Sequence, residues 1–310
     1  MSQKRITKIK KKVYREIGWY CMRLFLFPIT ILPLKCLYII GEMTATIAFF
    51  FLRRRRNIAL ENLRLSLGEE KSEREILAIY RSTIRNIGKG AMELLSYPRL
   101  DDSYFDDLIS VEGRENLDEA VKRGKGVVAV SAHFGNFAFL AIKLARMGYP
   151  FSVILRNPRQ EGLARYLEGL RNKAGMGSIP DKPPRVCVEQ SLRWLKKNGI
   201  LFLQIDLNVI SGGVYVEFFG RIVPTFKGPV VLAMRTGAAI LPVFILGENG
   251  NRHKVIIEPP LELELTGDKE RDIFINLTRL SKIVESYIRK YPDEWWWIHQ
   301  RWRKARPIEI

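Results

Sequence analysis

Cysteine and histidine are scarce, with three of each in 310 residues. Cys21, Cys36 and Cys187 are odd in number and widely spaced, and two of them stand inside apolar runs. That excludes a disulfide framework and reads as buried thiols in a reducing compartment. His133, His253 and His299 have no His or Cys neighbour at the short spacing of a zinc site, so no protein-bound metal is expected. Acidic side chains are also outnumbered, 33 against 51 Lys and Arg, for a net charge of +18. Such an excess calls for an acidic partner: anionic lipid headgroups, nucleic acid or an acidic carrier protein. No reading helix or RNA-binding motif accompanies the charge, so nucleic acid is not expected. Internal repeats and low-complexity linkers are missing too, and the length suits one large α/β domain or two modest ones.

A clean apolar run of membrane-spanning length is the next thing lacking. Lys4, Arg5, Lys8, Lys10, Lys11, Lys12 and Arg15 precede "LFLFPITILPLKCLYIIGEMTATIAFFFL" at 24–52, which ends in the arginines of 53–56. The run is too long and too interrupted for a cleaved export signal, and no small-residue cleavage site follows it. Pro28, Pro33, Lys35 and Glu42 leave no stretch of about 18 to 20 apolar residues. Both flanks are basic, which favours the cytoplasmic side for each. Residues 1–56 are therefore expected to form a helical pair or shallow re-entrant segment that dips into the cytoplasmic leaflet and sets its cations on lipid phosphates. A helix pair packed into the domain core is the competing reading.

Beyond residue 56 the chain is richly patterned. Residues 57–100 carry two amphipathic helices. The second opens with a capping box, Ser72 to Glu75, and places Ile76, Tyr80, Ile84, Ile87, Ala91 and Leu94 at helical spacing. Across 111–260, short apolar runs alternate with helical pieces: "GVVAVSA" (126–132), "FSVILR" (151–156), "ILFLQID" (200–206), "AILPVFIL" (239–246) and "HKVIIEP" (253–259). That alternation predicts an α/β fold with a mainly parallel central sheet flanked by helices. "RENLDEAVKRGKG" with its stop at Gly124, "EGLARYLEGLRNKAG", and "GPVVLAMRTG" between Pro229 and Gly237 supply helices between the strands. Residues 268–310 read as a long amphipathic helix broken at Pro292, then a tryptophan-rich basic tail that suits a membrane interface or a cap on the core.

The strand "VVAVSA" delivers His133 to the carboxyl edge of the sheet, where ligands bind in α/β folds. "FGNF" then turns into the helix "AFLAIKLA", whose positive end favours a neutral imidazole able to accept a proton. A lone histidine at a strand end more often satisfies a local hydrogen bond, and the surrounding blocks reverse that reading. "SAHFGNFAFL" resembles the first signature block of the lipid A biosynthesis acyltransferases, within the wider lysophospholipid acyltransferase superfamily; its hallmark is a histidine, four residues, then an acid. "RNPRQEGLARYLEGLRNKAGM" at 156–176 resembles the second block, "QIDLNVISGGVYVEFFGRIVPTFKGPVVLAMRTGAAILPVF" the third, and "YPDEWWWIHQRW" the C-terminal signature. The likeness covers nearly the whole chain.

The resemblance implies a glycerol-3-phosphate acyltransferase-like core over 57–310 and no bound cofactor. It further implies transfer of a fatty acyl group from an acyl carrier protein or CoA thioester to a hydroxyl of a membrane glycolipid, such as a lipid A precursor. The place implied is the cytoplasmic face of the bacterial inner membrane. A phosphatidylinositol mannoside or a lysophospholipid is an alternative acceptor. Carrier protein, glycolipid and anionic membrane surface are all acidic, which accounts for the charge.

A hydroxyl attacking a thioester must lose its proton, so His133 is the expected general base, acting without an acyl-enzyme. A carboxylate across the ring would fix the tautomer and stabilise the imidazolium. The motif's acid position holds Ala138 instead. Three explanations stand open: an engineered replacement of a natural Glu or Asp, a substitute carboxylate such as Asp206 at the end of "LFLQID", or a glycolipid-binding pseudoenzyme. Arg156, Asn157 and Arg171 match the second block, and the two arginines are expected to hold a phosphate or help stabilise the oxyanion. Ser131 lacks a nucleophile-elbow sequence and reads as a strand residue, and Cys187 lies on an apolar helix face. "SGGVYVEFFGRIVP" at 211–224 borders an acyl-chain groove or folds as a β-hairpin.

Overall fold

Strand β2, Val127–Ser131, is buried along its whole length, as a run of apolar residues covered on both sheet faces must be. The computed structural model describes residues 16, 18, 20, 27–158, 160–209, 212–249 and 251–306. Cys21 and the basic residues of 4–15 lie outside them.

β2 sits at the centre of a seven-stranded sheet. The other strands are β1 (Ile109–Glu112), β3 (Phe151–Leu155), β4 (Gly177–Pro180), β5 (Ile200–Gln204), β8 (Ala239–Glu248) and β9 (Arg252–Ile257), in the order β1-β9-β8-β2-β5-β3-β4. Five neighbours from β8 to β4 run parallel; β9 is antiparallel to β8, and β1 is parallel to β9. The sheet is thus mainly parallel, as the alternation predicts. Strands β1 and β4 are additions to the sequence reading, each four residues long.

Side-chain alternation divides the core into two layers. Val128 and Val130 of β2 join Leu201 and Leu203 of β5 on one face, while Val127 and Ala129 join Ile200 and Phe202 on the other. The first face is closed by helix α10, Lys269–Lys290, whose Ile273, Leu277, Leu280, Val284 and Ile288 form its buried stripe. It is closed also by the tail: Trp295, Trp297 and Trp302 are buried against Phe218 and Phe219. Three of the tail's four tryptophans cap the core. Phe218 ends β6 (Val214–Phe218), which pairs with β7 (Arg221–Thr225) as a separate hairpin. Its two-residue turn, Phe219-Gly220, has both φ values positive, the geometry that matches strand twist.

Helices α1 (Leu34–Phe51), α2 (Arg53–Leu67), α3 (Glu73–Ser96) and α4 (Asp102–Leu108) lie ahead of the sheet. The Ser72–Glu75 capping box starts α3. Helix α1 is continuous because Pro33 takes the N-cap position, where a missing N–H costs nothing, and because Glu42 pairs with Lys89 at 3.0 Å. It is long and apolar enough to cross a membrane, and only 17% of it is buried. Ile39, Met43, Ile47, Phe50 and Phe51 are exposed on it. α1 crosses α3 at Gly41 and Gly88, where a Cβ on Gly88 would stand 2.2 Å from the Gly41 carbonyl oxygen. Only glycine permits that approach.

The remaining helices link the strands: α5 (Arg114–Lys122), α6 (Phe137–Ala145), α7 (Glu161–Lys173), α8 (Pro184–Lys196) and α9 (Gly228–Thr236).

Candidate active site

His133 stands two residues beyond β2, at the sheet's carboxyl edge. β2 and β5 run parallel in a register that sets Ser131 opposite Gln204. Carrying that register two residues further brings His133 beside Asp206, although 73 positions separate them in the chain. His133 Nδ1 lies 2.9 Å from Asp206 Oδ1. The His133 main-chain N–H and the Trp295 indole N–H both donate to Asp206 Oδ2, each at 2.9 Å. A carboxylate that is fully buried, as the Asp206 side chain is, survives only with such donors. Burial works to raise its pKa, but the charge and hydrogen bonds of His133, with the Trp295 bond, hold Asp206 below the ordinary carboxylate range.

With Nδ1–H given to Asp206, the imidazole presents Nε2 as an acceptor. The ring is held edge-on to Phe137 and Trp296, at 5.0 and 5.8 Å between centroids. The loop beneath is fixed from two sides. Trp296 N–H donates to the His133 carbonyl at 3.0 Å, and Gly135 N–H to the Glu294 carbonyl at 2.8 Å. Gly135 has φ +54°, and a Cβ there would lie 2.3 Å from the Ile245 carbonyl oxygen, so the turn requires glycine. Asn136 caps α6 by accepting from Phe139 N–H at 3.1 Å.

A cavity of about 470 Å³ opens beside His133, within the range of small-molecule sites. Ala138, on the first turn of α6, lines it together with Glu93, His253 and Glu294. These form a second buried polar cluster. Glu93 accepts from Asn136 Nδ2 at 2.7 Å, and its other oxygen lies 2.9 Å from His253 Nε2. Burial would lower the His253 pKa, but Glu93 outweighs it and raises it. Glu294 is pushed up to about 7 by burial.

Arg301, whose charge acts on Asp206, is buried and donates to the Pro224 carbonyl and Thr225 Oγ1, each at 2.6 Å. Burial lowers its pKa to about 10, so it remains a cation near Asp206 at neutral pH. His299 is held below its ordinary value by burial, and its Nε2 accepts from Asn208 N–H at 2.9 Å.

The structure thus brings together His133, Asp206 and the Ala138 position, and it sets the second-block residues apart. Arg156 is exposed at the end of β3 and ion-paired to Asp181, with Nε to Oδ2 at 2.8 Å. Arg171 donates to Asn157 Oδ1 at 3.2 Å. Arg156, Asn157 and Arg171 do not line the His133 cavity. Ser131 is fully buried, and its hydroxyl has no partner among the described residues. Cys187 lies on α8, half-buried, with burial raising its thiol pKa.

Trp295, Arg301, Glu93 and Glu294 are site residues that the sequence reading did not single out. Trp295 and Arg301 stand within "YPDEWWWIHQRW", so the C-terminal signature carried a signal; Glu93 carried none, reading as one more polar residue off the stripe of α3.

The chain resembles enzymes over most of its length. The sequence profile of the bacterial lipid A biosynthesis acyltransferases matches residues 5–304. The lipid A biosynthesis palmitoleoyltransferase of Escherichia coli (strain K12) is 27% identical over 280 residues, 89% of this chain and 88% of the relative. The phosphatidylinositol mannoside acyltransferase of Mycolicibacterium smegmatis is 24% identical over 229 residues, 72% of each chain. The lipid A biosynthesis lauroyltransferase of Escherichia coli (strain K12) is 24% identical over 279 residues, 89% of this chain and 88% of the relative. An α/β fold with a histidine at the carboxyl edge of its central strand and a profile match spanning nearly every residue lead to one conclusion: the chain belongs to the bacterial lipid A biosynthesis acyltransferase family and is an acyltransferase of the lipid A or phosphatidylinositol mannoside type.

Proposed function

We propose that the protein transfers a fatty acyl group from an acyl carrier protein or CoA thioester to a hydroxyl of a membrane glycolipid, with His133 as general base and Asp206 as the acid that orients it. The observation that carries this reading is the His133–Asp206 pair at 2.9 Å, its carboxylate fully buried and its imidazole facing the cavity. In the reaction, the acceptor oxygen forms a bond to the thioester carbonyl carbon as its proton passes to His133 Nε2. The tetrahedral intermediate collapses with breakage of the C–S bond, and the leaving thiolate takes the proton back from the imidazolium. Asp206 keeps the proton of Nδ1 in place and stabilises the transient positive ring. No acyl-enzyme forms, and no acid is required at Ala138, because the far nitrogen of His133 already has its carboxylate.

Arg156, Asn157 and Arg171 we assign to a phosphate-bearing part of a substrate, away from the reacting carbonyl. The exposed apolar face of α1 is taken to lie in the inner membrane with the α/β domain on the cytoplasmic side. This function is tested by incubating the purified chain with acyl carrier protein and CoA thioesters and a panel of glycolipid acceptors, with mass detection of the product. Product with the wild type and none with His133→Ala is expected. A panel on which the wild type is silent while a positive-control enzyme works would leave a lipid binder in its place.

A further inference from the structure

Helix α3 separates two cavities. Thr83, Asn86, Ile87 and Gly90 face the cavity of His133, whereas Leu77, Ala78, Arg81, Ile84 and Arg85 line a second one. At 3.6 residues per turn these are nearly opposite faces of the helix. The second cavity, about 750 Å³, lies where α1, α2 and α3 meet. The Gly41–Gly88 crossing explains the opening: the helix backbones touch there and diverge away from it, leaving Thr46, Phe49 and Phe50 of α1 spaced from α3.

The lining of this cleft is divided in character. Phe49, Leu60, Leu77 and Ile84 give it an apolar floor; Arg56, Arg81 and Arg85 are its exposed cations. None of the three arginines has an ion pair or side-chain hydrogen bond among the described residues. Arg81 and Arg85 are moreover at i,i+4 spacing, where like charges repel on a helix. Three unpaired guanidinium groups around an apolar slot leave a site short of an anion that carries a hydrocarbon tail. The cleft also continues the exposed apolar face of α1, at Phe50 and Phe51, so its mouth opens where a bilayer would supply that molecule.

We propose that the cleft between α1, α2 and α3 binds one anionic phospholipid, with Arg56, Arg81 and Arg85 on its phosphate and an acyl chain against Phe49, Leu60 and Ile84. The inference rests on the membrane contact proposed above and adds a lipid class and a binding site apart from the catalytic cavity. Guanidinium forks suit phosphate oxygens, and water is excluded from the chain below.

The test uses the full chain on phosphatidylcholine vesicles that contain a phosphatidylglycerol or a phosphatidylcholine analogue with a photoreactive acyl chain. After illumination and digestion, labelled peptides are mapped. Phosphatidylglycerol is expected to label residues 46–60 and 77–85 in preference to phosphatidylcholine. Arg81→Gln with Arg85→Gln should cut that labelling by about thirtyfold, from the usual attraction of two basic residues to an anionic surface. Ala78→Trp, which fills the cleft with the arginines intact, should cut it as well. Equal labelling by both lipids, unchanged labelling in both variants, or full competition by inorganic phosphate would overturn the proposal. Labelling on α1 by both lipids without preference would leave the membrane contact standing, and no labelling anywhere on α1 would overturn both.

Discussion

Replacing Glu294 by glutamine removes a charge that the fold accommodates poorly. Burial pushes this carboxyl from its ordinary 4.5 up to about 7; Asp293 and Glu93 push the same way, and the Gly247 N–H and the charge of His253 oppose them. Between those values the folded chain holds a proton that the unfolded chain has released. Its stability therefore falls as pH rises from 4.5 to 7, and levels off above. At 1.36 kcal/mol per pKa unit the loss is about 3 kcal/mol once the carboxylate is ionised. Glutamine keeps the acceptor for Gly247 N–H, 3.2 Å from Glu294 Oε1, without the charge. The stability gained by Glu294→Gln should be near zero at pH 4.5 and rise to about 3 kcal/mol at pH 8. Urea unfolding in detergent micelles, followed by tryptophan fluorescence across that range, measures it. His253 contributes in the same direction, since its raised pKa gives stability below its ordinary value that is lost as pH rises; part of that rise comes from the Glu294 charge, so this contribution is smaller in the variant. A difference independent of pH, or a wild type that gains stability from pH 4.5 to 7, would refute the reasoning.

Two further substitutions test the frame around His133. Gly135→Ala forces a Cβ to 2.3 Å from the Ile245 carbonyl at positive φ; it should cost more than about 2 kcal/mol, read as a lower urea midpoint at unchanged slope. A wild-type midpoint would contradict that geometry. Trp295→Phe keeps most of the ring packing and deletes one donor to Asp206; a hydrogen bond to a charged group contributes about 1.5–3 kcal/mol, so acyl transfer should fall about tenfold or more. With one donor gone Asp206 loses part of what holds its pKa down; a rate within twofold of wild type would count against the assignment.

Much of this arrangement is legible in the chain itself. The apolar run of β2, Val127–Val130, and the turn into α6 place His133 at the sheet edge, and the end of "LFLQID" places Asp206 at the same edge. Their contact is not legible, because it depends on strand order and register: β5 has to neighbour β2, with Ser131 opposite Gln204. The short strands β1 and β4 escape notice because four residues carry too little alternation, and β4 contains both glycine and proline. The tail's tryptophans fit an interface or a core equally well by composition; packing on Phe218 and Phe219 decides for the core. Pro33 looks like an interruption of the apolar N-terminal run and is the start of its helix. The Glu93–His253 pair joins a helix to a strand 160 positions away, and no local pattern announces such a contact.

On the proposed mechanism, Asp206 serves as the acid of this site while Ala138 stands where the family motif has one. The most direct test is the initial rate of acyl transfer for the wild type, Asp206→Asn, Ala138→Glu, and the two changes combined, against His133→Ala as the baseline. The wild type should turn over with Ala138 in place, and Asp206→Asn should lose on the order of 10⁴ in rate, as when the aspartate of a serine-protease triad becomes asparagine. Adding Ala138→Glu should not restore it. A wild type silent until Ala138→Glu is introduced, or an Asp206→Asn enzyme within a few-fold of wild type, would contradict the account.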